Sequence, residues 1–264
     1  MSGIERIAEA FASSAADGRR AALMPYMMGG FPDLETSRAI GLAYAEAGAD
    51  LVELGVPFSD PLADGPVIHA AATAALREGA SLEAVLDLAR SISDVVPVVV
   101  MCYANLIFAR GVERFADALL AAGASGLIVP DLPLEEAPAM MAACDERGLA
   151  LVPLVAPTTP PDRLERIGRL ARGFLYTVSL TGTTGERAAL DGDLAAVISR
   201  ARANTEVPVA VGFGIATPEQ AAAAAEAGAQ GVIVGSRLVR AAAESESPVN
   251  EVREIVRALA AALL

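Results

Sequence analysis

At 264 residues the chain is too long for one small sandwich and too short for two full domains, which leaves one large α/β barrel or two small domains. An apolar fraction of 54% against 20% charged excludes a disordered chain, and 33 acidic against 20 basic residues, a net charge of −13, exclude sequence-independent binding to a nucleic-acid backbone. Two cysteines, Cys102 and Cys144, and a lone imidazole, His69, exclude a disulfide framework, a four-ligand zinc site and a histidine-rich metal centre.

The opening stretch MSGIERIAEAF carries Glu5 and Glu9 and has no basic region before a long apolar core, so no signal peptide is expected. With no apolar run of membrane-spanning length, the expected setting is cytoplasmic. Eight β-rich runs then follow in order, over 22–28, 50–55, 96–103, 126–130, 149–155, 174–179, 207–212 and 231–235. Each is nearly continuously apolar, the signature of parallel strands covered on both faces. Amphipathic stretches separate them. The segments EAGADLVELG, AAGASGLIVP and EAGAQGVIVG form a weak internal repeat, with Gly48, Gly123 and Gly228 placed as helix C-caps. In the last helical stretch Pro248 suits the first turn, and Val249, Val252, Ile255, Val256, Leu259 and Leu263 make one stripe.

Eight strand and helix pairs predict a single α/β domain over residues 1–264, a (β/α)8 TIM barrel with an extra N-terminal helix and a long loop after strand six. Function in such a barrel sits at the C-terminal strand ends. Two loops there are long, 55–67 after the second strand and 180–192 after the sixth, and both suit lids.

Glu53 lies inside the apolar second strand, where loss of water raises a carboxyl pKa towards neutrality and makes it able to give and take protons. The plainer reading is a buried carboxylate paired with a basic neighbour. Asp60 and Asp64 follow in a loop stiffened by Pro57, Pro61 and Pro66. Asp60, between Ser59 and Pro61, is equally readable as a turn former, and Asp64 is the stronger functional candidate. Gly212 and Gly214 close strand seven, while Gly235 and Ser236 close strand eight. Backbone N–H groups there suit a phosphate, which reconciles an anionic ligand with an acidic protein.

Taken together, ELGVPFSDPLADGP (53–66), GGFPD (29–33), MCYANLIFARGVERF (101–115), VPDLP (129–133), TGTTG (181–185), GFGI and VGS make the chain resemble the tryptophan synthase α subunit over essentially its full length. The resemblance implies retro-aldol cleavage of indole-3-glycerol phosphate to indole and glyceraldehyde 3-phosphate, without metal or organic cofactor. It also implies a tryptophan synthase β subunit as partner in an αββα heterotetramer, with Asp131 and Pro133 as candidate contacts.

By motif, Glu53 corresponds to the family's general acid and base, Asp64 to the carboxylate that meets the indole N–H, and Tyr176 to the active-site tyrosine. Phosphate contacts correspond to Gly185, Gly214, Gly235 and Ser236, and Thr184 to the lid threonine that meets Asp64. Tyr26, Met101, Leu127 and Phe213 are candidates for the apolar indole slot, although each position also suits plain core. Tyr26 stands where the family commonly has phenylalanine, and Leu180 and Thr183 also depart from the family pattern. His69 reads as a surface or helix-end histidine, and both cysteines as inert buried thiols. A free-standing indole-3-glycerol phosphate lyase, another phosphate-binding barrel such as a sugar-phosphate isomerase, and a non-catalytic barrel that regulates a partner remain as alternatives.

Overall fold

The computed structural model describes residues 1–178, 194–212 and 214–264. Its strands are β1 (Ala22–Met28), β2 (Val52–Gly55), β3 (Val98–Met101), β4 (Gly126–Ile128), β5 (Ala150–Val152), β6 (Leu154–Val155), β7 (Leu175–Val178), β8 (Val209–Gly212) and β9 (Gly231–Val234). All pair in parallel in the order β5-β4-β3-β2-β1-β9-β8-β7-β6, a nearly closed barrel.

Nine strands arise from eight predicted runs because the fifth run is cut at Pro153. Proline has no N–H to give to a ladder. The residues before it pair with β4, those after it pair with β7, and the Pro153 carbonyl still accepts the Tyr176 N–H at 3.0 Å. One stretch of chain therefore closes the barrel by changing partners. The predicted barrel architecture holds.

Among the described residues the helices before the middle of the chain are α1 (Gly3–Ala16), α2 (Leu34–Glu46), α3 (Pro66–Arg77), α4 (Leu82–Ser93), α5 (Ala104–Arg110) and α6 (Val112–Ala121). They continue with α7 (Pro138–Glu146), α8 (Pro161–Leu170), α9 (Leu194–Arg202), α10 (Pro218–Glu226), α11 (Ser236–Glu244) and α12 (Pro248–Ala262). Gly48, Gly123 and Gly228 take φ of 102°, 70° and 102° just past their helices, the left-handed turn that frees the chain to enter the next strand. On α12 the predicted stripe is inward: Val252, Val256, Leu259 and Leu263 are fully buried, with Val249 and Ile255 at its margin. Arg20 caps the end of this helix by donating to the Ala262 carbonyl at 2.6 Å.

Strand parity divides the core in two. Leu23, Val52, Leu54, Val98, Val100, Leu127, Val209 and Val232 face the helices, whereas Met24, Leu51, Val99, Ile128, Val152, Tyr176, Ala210 and Ile233 fill the barrel. The extra N-terminal helix α1 plugs the barrel floor. Its Ser2–Glu5 capping box starts it, and Ile7 and Phe11 join the interior cluster. A column of rings, Phe11 to Phe174 at 6.1 Å and Phe174 to Tyr176 at 6.4 Å, runs from the plug towards the opposite end.

Asp50 ties plug and barrel together at that floor. Its Oδ2 accepts from the Leu23 N–H at 2.7 Å, from Arg19 at 2.8 Å and from the Ser14 hydroxyl at 3.4 Å. Burial pushes this carboxyl up, while the Leu23 amide and Arg19 oppose the shift. Asp50→Ala strands a buried amide and a largely buried guanidinium, and should cost about 3 kcal/mol in urea unfolding. A loss below about 1 kcal/mol would show that water replaces the carboxylate there.

Candidate active site

Because side chains alternate along a strand, Leu51, Glu53 and Gly55 point into the barrel while Val52 and Leu54 point at the helices. Glu53 is thus enclosed near the C-terminal end of β2, 2% exposed, in register with Tyr26 on one side and Val99 on the other. Its Oε2 has no hydrogen-bond partner among the described residues. Loss of water, reinforced by the charge of Asp64, pushes the carboxyl up to about 8. No basic side chain contributes to that shift, so the reading of a buried ion pair is not supported.

Asp64 is half-buried just before α3, where the helix N-terminus favours an anion. Burial raises its carboxyl; a hydrogen bond from the Tyr103 hydroxyl and the charge of His69 pull it down. Asp60, by contrast, is exposed and accepts only from its neighbour Ser59 at 2.5 Å among the described contacts, as a turn residue does. His69 itself is exposed on α3. Cys102 and Cys144 are fully buried free thiols, each pushed up to about 12 by burial.

Two tyrosines flank Glu53, and each occupies a space that a glycine leaves open. The Tyr26 hydroxyl lies over Gly55 of the adjacent strand, where a Cβ would stand only 2.1 Å from it. The Tyr176 hydroxyl lies over Gly212 of β8 in the same way, at 2.3 Å from a Cβ built there. Burial and then the nearby carboxylates hold both phenols protonated: Asp64 and Glu53 act on Tyr26, and Glu53 acts on Tyr176. Both are neutral hydrogen-bonding groups beside an acid that is itself neutral near pH 7.

Gly235 adjoins the Tyr26 ring, with a Cβ there only 3.6 Å from the Tyr26 Cβ, and it caps the start of α11. Ser236 opens that helix and is half-buried, so the first-turn N–H groups of α11 are aimed at the same end of the barrel. Gly214, past the end of β8, takes φ of 89°, a conformation that keeps the backbone bare of a side chain there. These three phosphate candidates therefore lie on the two neighbouring strand ends expected of them. Gly185, Thr184, Phe213 and the departures Leu180 and Thr183 lie outside the described residues, as does the loop 180–192.

Of the slot candidates, Tyr26 and Met101 meet in one apolar cluster with Met28 and Ile68, and Met101 is in register with Gly55. Leu127 is a correction. It faces the helices, and the inward residue of β4 is its neighbour Ile128, paired with Met101 and Val152. One step along a strand turns a side chain to the opposite face, and a three-residue apolar run gives no alternation to read.

Sequence reasoning also passed over Tyr103. It follows β3 and is 3% exposed; its ring stacks on Phe58 at 5.4 Å and its hydroxyl accepts the Ala63 N–H at 3.1 Å. An aromatic immediately past a strand end was the available signal. Asp131, for its part, has a carboxylate that accepts the Ala104 N–H at 2.9 Å and so starts α5, while Pro133 is exposed.

A family model described as tryptophan synthase alpha chain matches residues 11–263. A relative of that name from Gloeobacter violaceus is 49% identical over 258 residues, covering 96% of this chain and 93% of its own. Another so named, from Synechococcus elongatus, is 49% identical over 88% of each chain. The solved tryptophan synthase of Mycobacterium tuberculosis superposes with a TM-score of 0.91 at 40% identity, covering 98% of both chains. A chain of the tryptophan synthase α2β2 complex of Pyrococcus furiosus does so with a TM-score of 0.85 at 35% identity, covering 90% of this chain and 97% of its own.

The buried acid has a thermodynamic signature. An exposed glutamate titrates near 4.5, whereas the enclosed one holds its proton to about 8. Across that interval the native state keeps a proton that the unfolded chain has lost, so Glu53's contribution to stability is full below the lower value and lost as pH rises through the upper one. Glu53→Gln stays neutral, and its unfolding free energy should gain on the wild type by a few kcal/mol between about pH 5 and about pH 9 in urea titrations. An unchanging gap would mean the carboxyl is solvated.

Proposed function

The chain belongs to the tryptophan synthase alpha chain family, and we propose that Glu53, Asp64 and Tyr176 carry its reaction at the C-terminal end of the barrel. Family membership makes it a carbon–carbon lyase: it splits indole-3-glycerol phosphate into indole and glyceraldehyde 3-phosphate by retro-aldol cleavage. It reads as the α subunit, in preference to a free-standing lyase, a sugar-phosphate isomerase or a non-catalytic regulator.

The observation that carries the site assignment is the enclosed Glu53 carboxyl, protonated near neutral pH, beside the more exposed Asp64 carboxylate. Glu53 gives its proton to indole C3. That step interrupts the aromatic pyrrole and places positive charge on nitrogen, where the Asp64 carboxylate, accepting the N–H, stabilises it. The bond from C3 to the glycerol carbon then breaks, its electron pair returns to the ring, and indole regains aromaticity. The hydroxyl on that carbon loses its proton to Glu53, now a carboxylate, and becomes the aldehyde. Proton count closes over the cycle.

Tyr176, beside Glu53, suits the role of steadying that carboxyl or the glycerol hydroxyls. Tyr26 and Met101 form the near wall of the ring slot, with Phe213 assigned to it by family pattern. Gly214, Gly235 and Ser236 hold the phosphate through backbone dipoles, and by the same family pattern Gly185 is assigned to the phosphate and Thr184 to partnering Asp64. The chemistry requires no metal or organic cofactor in this reading. The Pyrococcus furiosus neighbour is an α2β2 complex, and an αββα heterotetramer with a β subunit is proposed here, with the exposed segment around Pro133 near the contact. Among the described residues no helix is long and apolar enough to cross a membrane, and a cytoplasmic setting fits the pathway.

Incubation with indole-3-glycerol phosphate, with and without a β subunit, followed by measurement of free indole, tests the whole reading. Glu53→Gln should abolish indole release while leaving affinity for a phosphate ligand within about tenfold; undiminished release would end its role as acid and base. Gly235→Asp fits sterically at its Cβ but sets a negative charge beside the phosphate, so it should chiefly raise KM. An unaltered KM would move the phosphate elsewhere.

A further inference from the structure

Residues 56–65 link β2 to α3 without a helix or strand, yet they carry Asp64, whose position the chemistry requires to be fixed. Tyr103, just past the end of β3, touches this segment at both ends. Its ring stacks on Phe58 near the beginning, with the planes 29° apart, and its hydroxyl meets Ala63 and Asp64 near the end. A phenol oxygen has a single hydrogen. The oxygen accepts the Ala63 N–H at 3.1 Å, which leaves that hydrogen available to the neighbouring Asp64 carboxylate. The Tyr103 ring is itself enclosed, 3% exposed.

We propose that Tyr103 is a positioning residue for the cleavage step, pinning the loop through Phe58 and Ala63 and so fixing the Asp64 carboxylate in place beside Glu53. This rests on the role given to Asp64 above. A hydrogen bond donated to a carboxylate favours its charged form, and here it works against the burial that favours the neutral acid. A protonated Asp64 would supply no counter-charge to the ring nitrogen. The groups facing Asp64 are Tyr103 from the β3–α5 connection, His69 from α3, Glu53 from β2 and Tyr26 from β1, and Asp131 in turn faces Tyr103. His69 is exposed, and its charge is correspondingly screened. The phenol is the group that orients as well as charges.

Tyr103→Phe keeps the ring and deletes only the hydroxyl, and it is to be assayed for indole release together with the β subunit. Expected are a kcat lower by about tenfold or more, a KM within about twofold, and an acidic limb of the kcat/KM profile moved upward by about one pH unit, because Asp64 then protonates more readily. In an Asp64→Asn background the same change should cost less than about twofold, since the group it acts through is gone. A limb that stays put, or costs that multiply in the double variant, would overturn the proposal, as both are what a purely structural tyrosine gives. Carbon-13 titration of the Asp64 carboxyl in the resting proteins reads the same shift without turnover, and equal values in wild type and Tyr103→Phe would also overturn it. A wild-type chain that releases no indole at all would instead defeat the reading of the site on which the proposal stands.

Discussion

Water is kept away from one carboxyl group, and the chemistry proposed for the molecule follows from that. A glutamate on a barrel strand has nowhere to go but inward or outward, and the parity of β2 sends Glu53 inward with Leu51 and Gly55. There it is unable to recover in hydrogen bonds what it loses in hydration, its Oε2 having no partner among the described residues, and it keeps its proton instead. The enclosure that makes the group costly to ionise is what its proposed role requires, protonating a carbon and then recovering a proton from oxygen.

The rest of the site manages that cost. Gly55 and Gly212 withhold side chains where the hydroxyls of Tyr26 and Tyr176 must lie, so two neutral phenols come close to the acid without adding charge. Asp64, the proposed counter-charge, is half-buried at a helix N-terminus, where burial raises its carboxyl and Tyr103 and His69 oppose that shift. In the proposed site the enclosed carboxyl serves as acid and the better solvated one as counter-charge. The floor of the barrel is built in the opposite spirit. Ile7, Phe11 and Phe174 fill it with apolar contact, and the carboxylate there, Asp50, is occupied by Arg19 and the Leu23 amide.

Much of this was legible along the chain because the relevant physics is local. Apolar runs spaced by amphipathic stretches give the barrel, Ala-Gly endings give the helix stops at Gly48, Gly123 and Gly228, and the α12 stripe gives its buried face. Glu53 stands out as a charge inside an apolar run, and Asp64 as a carboxylate in a proline-stiffened loop. Neither inference needs a neighbour distant in sequence.

The amino-acid order alone determined the eight apolar barrel segments, which two carboxyl groups stand out as candidates for acid and counter-charge, and which strand ends bear glycine, because each depends on residues a few positions apart. Tertiary structure decided the rest. It chose Ile128 over Leu127 for the interior, since a run without alternation does not reveal which face a strand buries until its partners set the register. It split the fifth segment at Pro153 so that the barrel closes, and it brought Tyr103 onto a loop in which its partner Ala63 lies 40 residues earlier in the chain. Contacts between segments far apart in the chain exist only once the sheet has curled round to meet itself, so no pattern in the sequence could have placed them.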